Sequence, residues 1–142
     1  MIRVLGDIML DRWITGEVNR MSPEAPVPVF LEKTKNHSLG GAANLAINIH
    51  RLGSYIKLYG SIGNDENGSK IIDLLNNEKI NHDLIFSSGP TTTKTRYIDN
   101  KSKHYFRWDV EIITPNSKII EIGVKSRLYT KFNAFSRRTS IT

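Results

Sequence analysis

Residues 40–44, Gly-Gly-Ala-Ala-Asn, bring together the groups in this chain best suited to hold an oxygen-rich molecule. Neither Gly40 nor Gly41 has a Cβ, so the backbone can turn sharply there and come close to a ligand. Residues 42–52 then carry Ala43, Ala46, Ile47, Ile49 and Leu52 at helical spacing, with Gly53 as the stop. A ligand lying over the glycines is expected to meet free amide N–H groups and the positive end of that helix. Asn44, one turn in, adds an amide that both donates and accepts. The same residues also read as a plain turn with a helix cap. Asp7 and Asp11 follow the apolar run of residues 2–6, which reads as a buried strand. Ligand sites in open α/β sheets lie beyond the carboxyl ends of strands, and paired carboxylates there accept hydrogen bonds from vicinal hydroxyls. Asp11 alternatively caps a turn.

The elements expected around these groups alternate. Residues 22–39 carry Pro23, Pro26 and Pro28 among Val27, Val29, Phe30 and Leu31, which suits an edge strand or an extended arm. Such an apolar edge needs a partner. Residues 55–62 form a second strand, closed by the turn Gly63-Asn64-Asp65. Residues 66–79 form an amphipathic helix with Ile71, Ile72, Leu74 and Leu75 toward the core, and Asp65 at its start as a cap rather than a catalytic group. Residues 91–98 and 104–108 make a hairpin around the Asn100–Lys103 turn. The order describes the opening half of an α/β sandwich with a β lid. There is no internal repeat.

Composition excludes several classes of function. The chain has 142 residues and no cysteine, so it has no disulfide framework and no thiolate nucleophile or metal site. Its four histidines show no metal-ligand spacing. The net charge of +6 is concentrated beyond residue 109, where six Lys and Arg face two acids, against fourteen and twelve before it. A basic tail is not a nucleic-acid face, and no nucleic acid is expected as a partner. Arg3 and Asp7 interrupt the apolar start, no signal peptide is read, and no apolar run reaches the ~20 residues of a membrane span. A cytoplasmic location without membrane contact is therefore expected.

The Gly40-Gly41-Ala42-Ala43-Asn44-Leu45-Ala46 stretch, continued by Gly53 and Gly63, resembles the first signature of the ribokinase-like (PfkB) carbohydrate kinases. Gly6-Asp7-Ile8-Met9-Leu10-Asp11-Arg12 and Met21-Ser22-Pro23-Glu24-Ala25-Pro26 resemble one branch of it, the D-glycero-β-D-manno-heptose 7-phosphate kinases. That branch is often the kinase half of a bifunctional kinase/adenylyltransferase. Thr91–Arg96 and Phe106–Asp109 continue the likeness, which covers residues 3–109.

The resemblance implies the N-terminal portion of a ribokinase-like α/β/α sandwich with a small β-sheet lid, in residues 1–109. Residues 110–142 are then a divergent basic tail, either a frameshift or an unrelated extension. It implies substrate binding by Asp7, Asp11, Gly40, Gly41 and Asn44. Lys94 and Arg107 would neutralise a phosphate already on the sugar, or are ordinary strand charges. Glu24 reaches the sugar or is a surface charge. The lid would cover the sugar and offer a homodimer contact. ATP and Mg are cofactors by resemblance only, because the family's nucleotide region and its Gly-Ala-Gly-Asp segment with the catalytic aspartate lie in sequence that is not matched here. The expectation is a truncated heptose 7-phosphate 1-kinase of the lipopolysaccharide-heptose pathway, without its base. The alternatives are a non-catalytic sugar-phosphate-binding or kinase-interacting module and a fragment that does not fold stably.

Overall fold

The computed structural model describes residues 1–101 and 103–111. Nearly all of the expected tail, residues 112–142, lies outside the described residues.

Two sheets organise the chain. β1 (Ile2–Leu5), β4 (Ile56–Gly63) and β5 (Asn81–Ser87) form a three-stranded sheet in the order β1-β4-β5, with both pairings parallel. Parallel neighbours need a crossover, which α1 (Ala42–Arg51) and α2 (Glu66–Asn77) supply. Right-handed crossovers in one direction along the sheet put both helices on the same face. The buried set follows: Val4, Ile56, Leu58 and Ile62 from the strands meet Ala43 and Ala46 of α1 and Ile71 and Leu75 of α2. Ile72 and Leu74, also expected to point inward, pack partly buried against this cluster. Full burial of a side chain such as Leu58 or Leu75 is worth about 1.5–3 kcal/mol.

The second sheet has the order β3-β2-β6-β7 and forms the lid. β2 (Ile8–Met21) and β3 (Pro28–Gly41) are a long antiparallel hairpin. β6 (Thr93–Ile98) joins β2 in parallel, and β7 (His104–Val110) returns antiparallel to β6. Only the root of this sheet enters the core, through Ile8, Leu10 and Leu39, with Ile14 also buried.

Three expectations change here. The segment after Asp7 is a fourteen-residue strand, not the polar end of β1, so Asp11 neither follows a strand terminus nor caps a turn. The proline segment is the tip of the β2–β3 hairpin, with Pro28 opening β3, rather than an isolated arm. β5 was not anticipated; its half-exposed residues lack a clean alternation.

Candidate functional site

Gly40 and Gly41 are the last two residues of β3, paired with Met9 and Ile8, and not a loop. Gly41 has φ +59°, and a Cβ there would lie 2.3 Å from the Asp7 carbonyl oxygen. That carbonyl accepts the first helical N–H, from Ala42, at 2.9 Å. The expectation of free amides over the glycines is therefore corrected: the ladder and Asp7 take the first of them. α1 has no side-chain cap and no acid in its first turn. Ala43 is fully buried there, so the exposed residue of that turn with an N–H lacking an intrahelical acceptor is Asn44. The Asp7 carboxylate is exposed and has no hydrogen-bond or ion-pair partner among the described residues.

Above this platform lies one face of the lid. Register places Asp11 beside Lys94 and Trp13 beside Arg96, and then Lys94 beside Asp109 and Arg96 beside Arg107. Register partners share a face, so these six side chains form a charged strip across three strands. Arg96 Nη1 donates to Asp11 Oδ1 at 2.7 Å, and its guanidinium lies 4.5 Å from the Trp13 ring centroid. Arg107 donates to Asp109 twice, from Nε at 2.8 Å and from Nη2 at 2.5 Å. Lys94 Nζ is 3.7 Å from Glu111 Oε1. Gly40 joins the platform to the strip: a Cβ on it would fall 2.5 Å from Asp11 Oδ2.

The electrostatics follow from these pairs. The Arg107 hydrogen bonds pull the Asp109 carboxyl below its usual range, against a smaller opposing effect of burial, and the charges of Arg107, Lys94 and Arg96 add to the pull. Arg107 in turn is held still more basic, first by its hydrogen bonds to Asp109. All three cations have a carboxylate partner, so a phosphate entering the strip must take the place of Asp11, Asp109 or Glu111. A carboxylate displaced in that way becomes an acceptor for hydroxyls.

The structure thus brings Asp11, Gly40, Lys94 and Arg107 around one lid face, with Asp7, Gly41 and Asn44 at its root. Arg96, Trp13 and Asp109 belong to the same strip and were missed as site residues. The signal was present for Arg96: it stands two residues from Lys94 in an alternating strand and must share its face. Glu24 sits in the hairpin tip, where its N–H bonds to Ser22 Oγ at 3.2 Å.

Asp65 is the α2 cap that its position suggests, accepting from the Gly68 N–H at 2.8 Å. It also accepts from the Thr91 N–H at 2.7 Å and the Thr91 hydroxyl at 2.6 Å. Partial burial would raise its carboxyl, but the hydrogen bonds from Thr91, Gly68 and Asn67 outweigh this and lower it. This clip anchors the loop that leads into β6.

Among the described residues no group of three His, Cys, Asp or Glu side chains could hold a metal ion. No helix among them is long and apolar enough to cross a membrane.

A parallel α/β layer carrying a four-stranded lid, with a glycine-led helix beneath it, is the architecture of ribokinase-like kinase structures. The chain belongs to the pfkB family of carbohydrate kinases, whose family profile matches residues 1–117. It is 44% identical over 111 residues to the bifunctional protein HldE of Haemophilus ducreyi, covering 78% of this chain and 23% of that one. It is 45% identical over 111 residues to the HldE of Actinobacillus succinogenes, with the same coverage. The chain therefore spans about a quarter of the length of the curated relatives it matches. Among solved structures, a putative sugar kinase from Clostridium perfringens superposes with a TM-score of 0.66 at 20% identity, over 90% of this chain and 40% of that one. A fructokinase from Xylella fastidiosa with bound ATP gives 0.55 at 20% identity, over 78% and 32%. At these identities the structures bear on the fold alone.

Proposed function

We propose that this chain supplies the sugar-gripping platform and lid of a kinase that phosphorylates the anomeric hydroxyl of D-glycero-β-D-manno-heptose 7-phosphate from ATP, in ADP-heptose formation. The observation that carries this reading is the lid strip, in which Asp11 lies over Gly40 while Lys94, Arg96 and Arg107 stand in line with it. A sugar that already bears a phosphate needs both halves of that arrangement, carboxylates for hydroxyls and guanidinium groups for the phosphate. The Gly-Asp-Ile-Met-Leu-Asp-Arg and Ser-Pro-Glu-Ala-Pro motifs and the HldE relatives support heptose as the sugar.

In this reading Asp7 and Asn44, with the Asn44 N–H in the first turn of α1, orient the reacting end, and the lid strip holds the phosphorylated end. Such positioning is a large part of phosphoryl-transfer catalysis, where stabilising the transferring group supplies the rest. Nucleotide and magnesium are co-substrate and cofactor by family, and the proposed setting is the cytoplasm. A second copy of the chain is the proposed partner of the lid, whose outer strand β7 exposes Phe106 and Trp108. A sedimentation coefficient that is independent of protein concentration and fits a monomer would remove that partner.

The test is calorimetric titration of the 142-residue chain with heptose 7-phosphate, first alone and then with Mg-ATP. Saturable binding that is lost in Asp11→Asn is expected. A cooperatively folded chain that binds no heptose 7-phosphate would sink the proposal. Binding without turnover would assign the chain to sugar-phosphate recognition alone.

A further inference from the structure

The alternation that sends Asp11 to one face of the lid sends Arg12 to the other. There Arg12 and His37, register partners across β2 and β3, stand with Lys35 opposite the first turns of α2. Between them lies a cleft of about 500 Å³. Lys70, Glu66 and Asp73 line its far wall. Arg12 Nη2 donates to Asn67 Oδ1 at 2.6 Å, while its Nε is buried with no hydrogen-bond partner among the described residues. Lys70 has no ion-pair partner among them, and Lys35 has only the half-exposed Glu32 at 3.7 Å. Three cations from three elements thus converge on the cleft, facing the carboxylates of Glu66 and Asp73, neither of which forms an ion pair with them among the described residues. His37 registers the field: burial first, then the charges of Arg12, Lys70 and Lys35, push its titration below the ordinary value, against a weaker opposite pull from Glu66.

We propose that this cleft is a second anion site, separate from the Asp11 strip, that takes the phosphomonoester of a small polyol. Its volume lies within the ~300–1,000 Å³ of small-molecule sites. Arg12, with Lys35 and Lys70, meets the phosphate, and the forked guanidinium suits its geometry. Glu66 and Asp73, on the same helix as Lys70, accept hydroxyls of the polyol. The ligand would join the β2–β3 hairpin to α2, where the Arg12–Asn67 bond is the one side-chain hydrogen bond between them that the described residues show. Occupancy therefore fixes the lid relative to the helical layer.

The His37 ring protons of the 142-residue chain, followed by NMR, give the readout. Glycerol 3-phosphate is expected to shift them saturably and to raise the His37 titration by about one unit, because a nearby dianion favours the imidazolium. Lys70→Gln and Lys35→Gln each change an exposed side chain and leave the fold intact; each should weaken binding about tenfold. Arg107→Gln, on the other face, should leave the His37 response unchanged. Glycerol should give no response, and inorganic phosphate a weaker one. The proposal fails if His37 does not respond. It also fails if Arg107→Gln abolishes the response while Lys70→Gln does not, since the phosphate would then sit on the other face. Equal affinity for inorganic phosphate would remove the polyol.

Discussion

The two sheets of this chain are stabilised in different ways. The β1-β4-β5 layer buries the centre of one face against two helices, with Leu58, Ile71 and Leu75 wholly enclosed. The lid buries only its root and otherwise relies on strand pairing, on rings such as Tyr97 stacked on Phe106 at 4.1 Å, and on ion pairs. Charges sit where water still reaches them, and apolar residues sit where it does not. The layer carries stability and, on the proposed function, the lid carries recognition, so a change in one should leave the other's property mostly intact.

The strongest test of that division is Leu58→Ala. Emptying the centre of β4 should cost about 2–5 kcal/mol in denaturant unfolding and lower the whole transition. Next in size is Gly40→Ala, whose new Cβ meets both the Asp11 carboxylate and the Met9 side chain. About 1–3 kcal/mol of overpacking cost is expected, together with loss of heptose 7-phosphate binding in calorimetry. Thr91→Val removes the hydroxyl that Asp65 accepts and should cost about 1–2 kcal/mol. The same clip sets an acid dependence. The Asp65 carboxyl is lowered in the folded chain, so its contribution is present above the ordinary unfolded value of ~3.9 and is lost as pH falls through the lower folded value. Asp65→Asn should flatten that part of an acid-unfolding curve.

Arg96→Gln sharpens the comparison from the lid side. Sugar-phosphate affinity should fall at least tenfold, while stability falls by about 1–2 kcal/mol, because the Arg96–Asp11 pair is largely buried. The smallest effect is expected for Lys33→Ala, which breaks the 2.6 Å bridge to Glu17 far out on the hairpin. Both side chains are exposed, and no change in either melt or binding should be measurable. A large loss of stability there would mean that the lid is held by its outer ion pairs after all.

The same division explains what could be read in the sequence. Both helices and β4 were legible because burial on one face imposes a period, as in Ile71 and Leu75 or Ile56, Leu58 and Ile62. β2 was not, because Asp11, Arg12, Glu17 and Arg20 interrupt it, and a strand with charged residues on both faces has no single apolar side. β5 escaped for a related reason, being an edge strand with mixed exposure. At the site, the positions of Asp7, Gly41 and Asn44 next to one another followed from chain proximity. The convergence of Asp11 with Arg96 did not, because it depends on a pairing between residues 85 positions apart.

That remote pairing has a consequence for the order of assembly. β2 and β3 meet through a short turn and can pair early, but β6 reaches β2 in parallel only after the intervening layer has brought residue 93 back to residue 10. The charged strip, which needs β6, is therefore completed last. The chain holds two tryptophans, Trp13 in β2 and Trp108 in β7, and both belong to the lid. Its intrinsic fluorescence is thus a clock for the final docking event, while helical circular dichroism follows the layer beneath. During refolding the dichroism should recover first and the tryptophan signal afterwards, and a chain emerging from the ribosome completes its lid only once β6 and β7 are free to join.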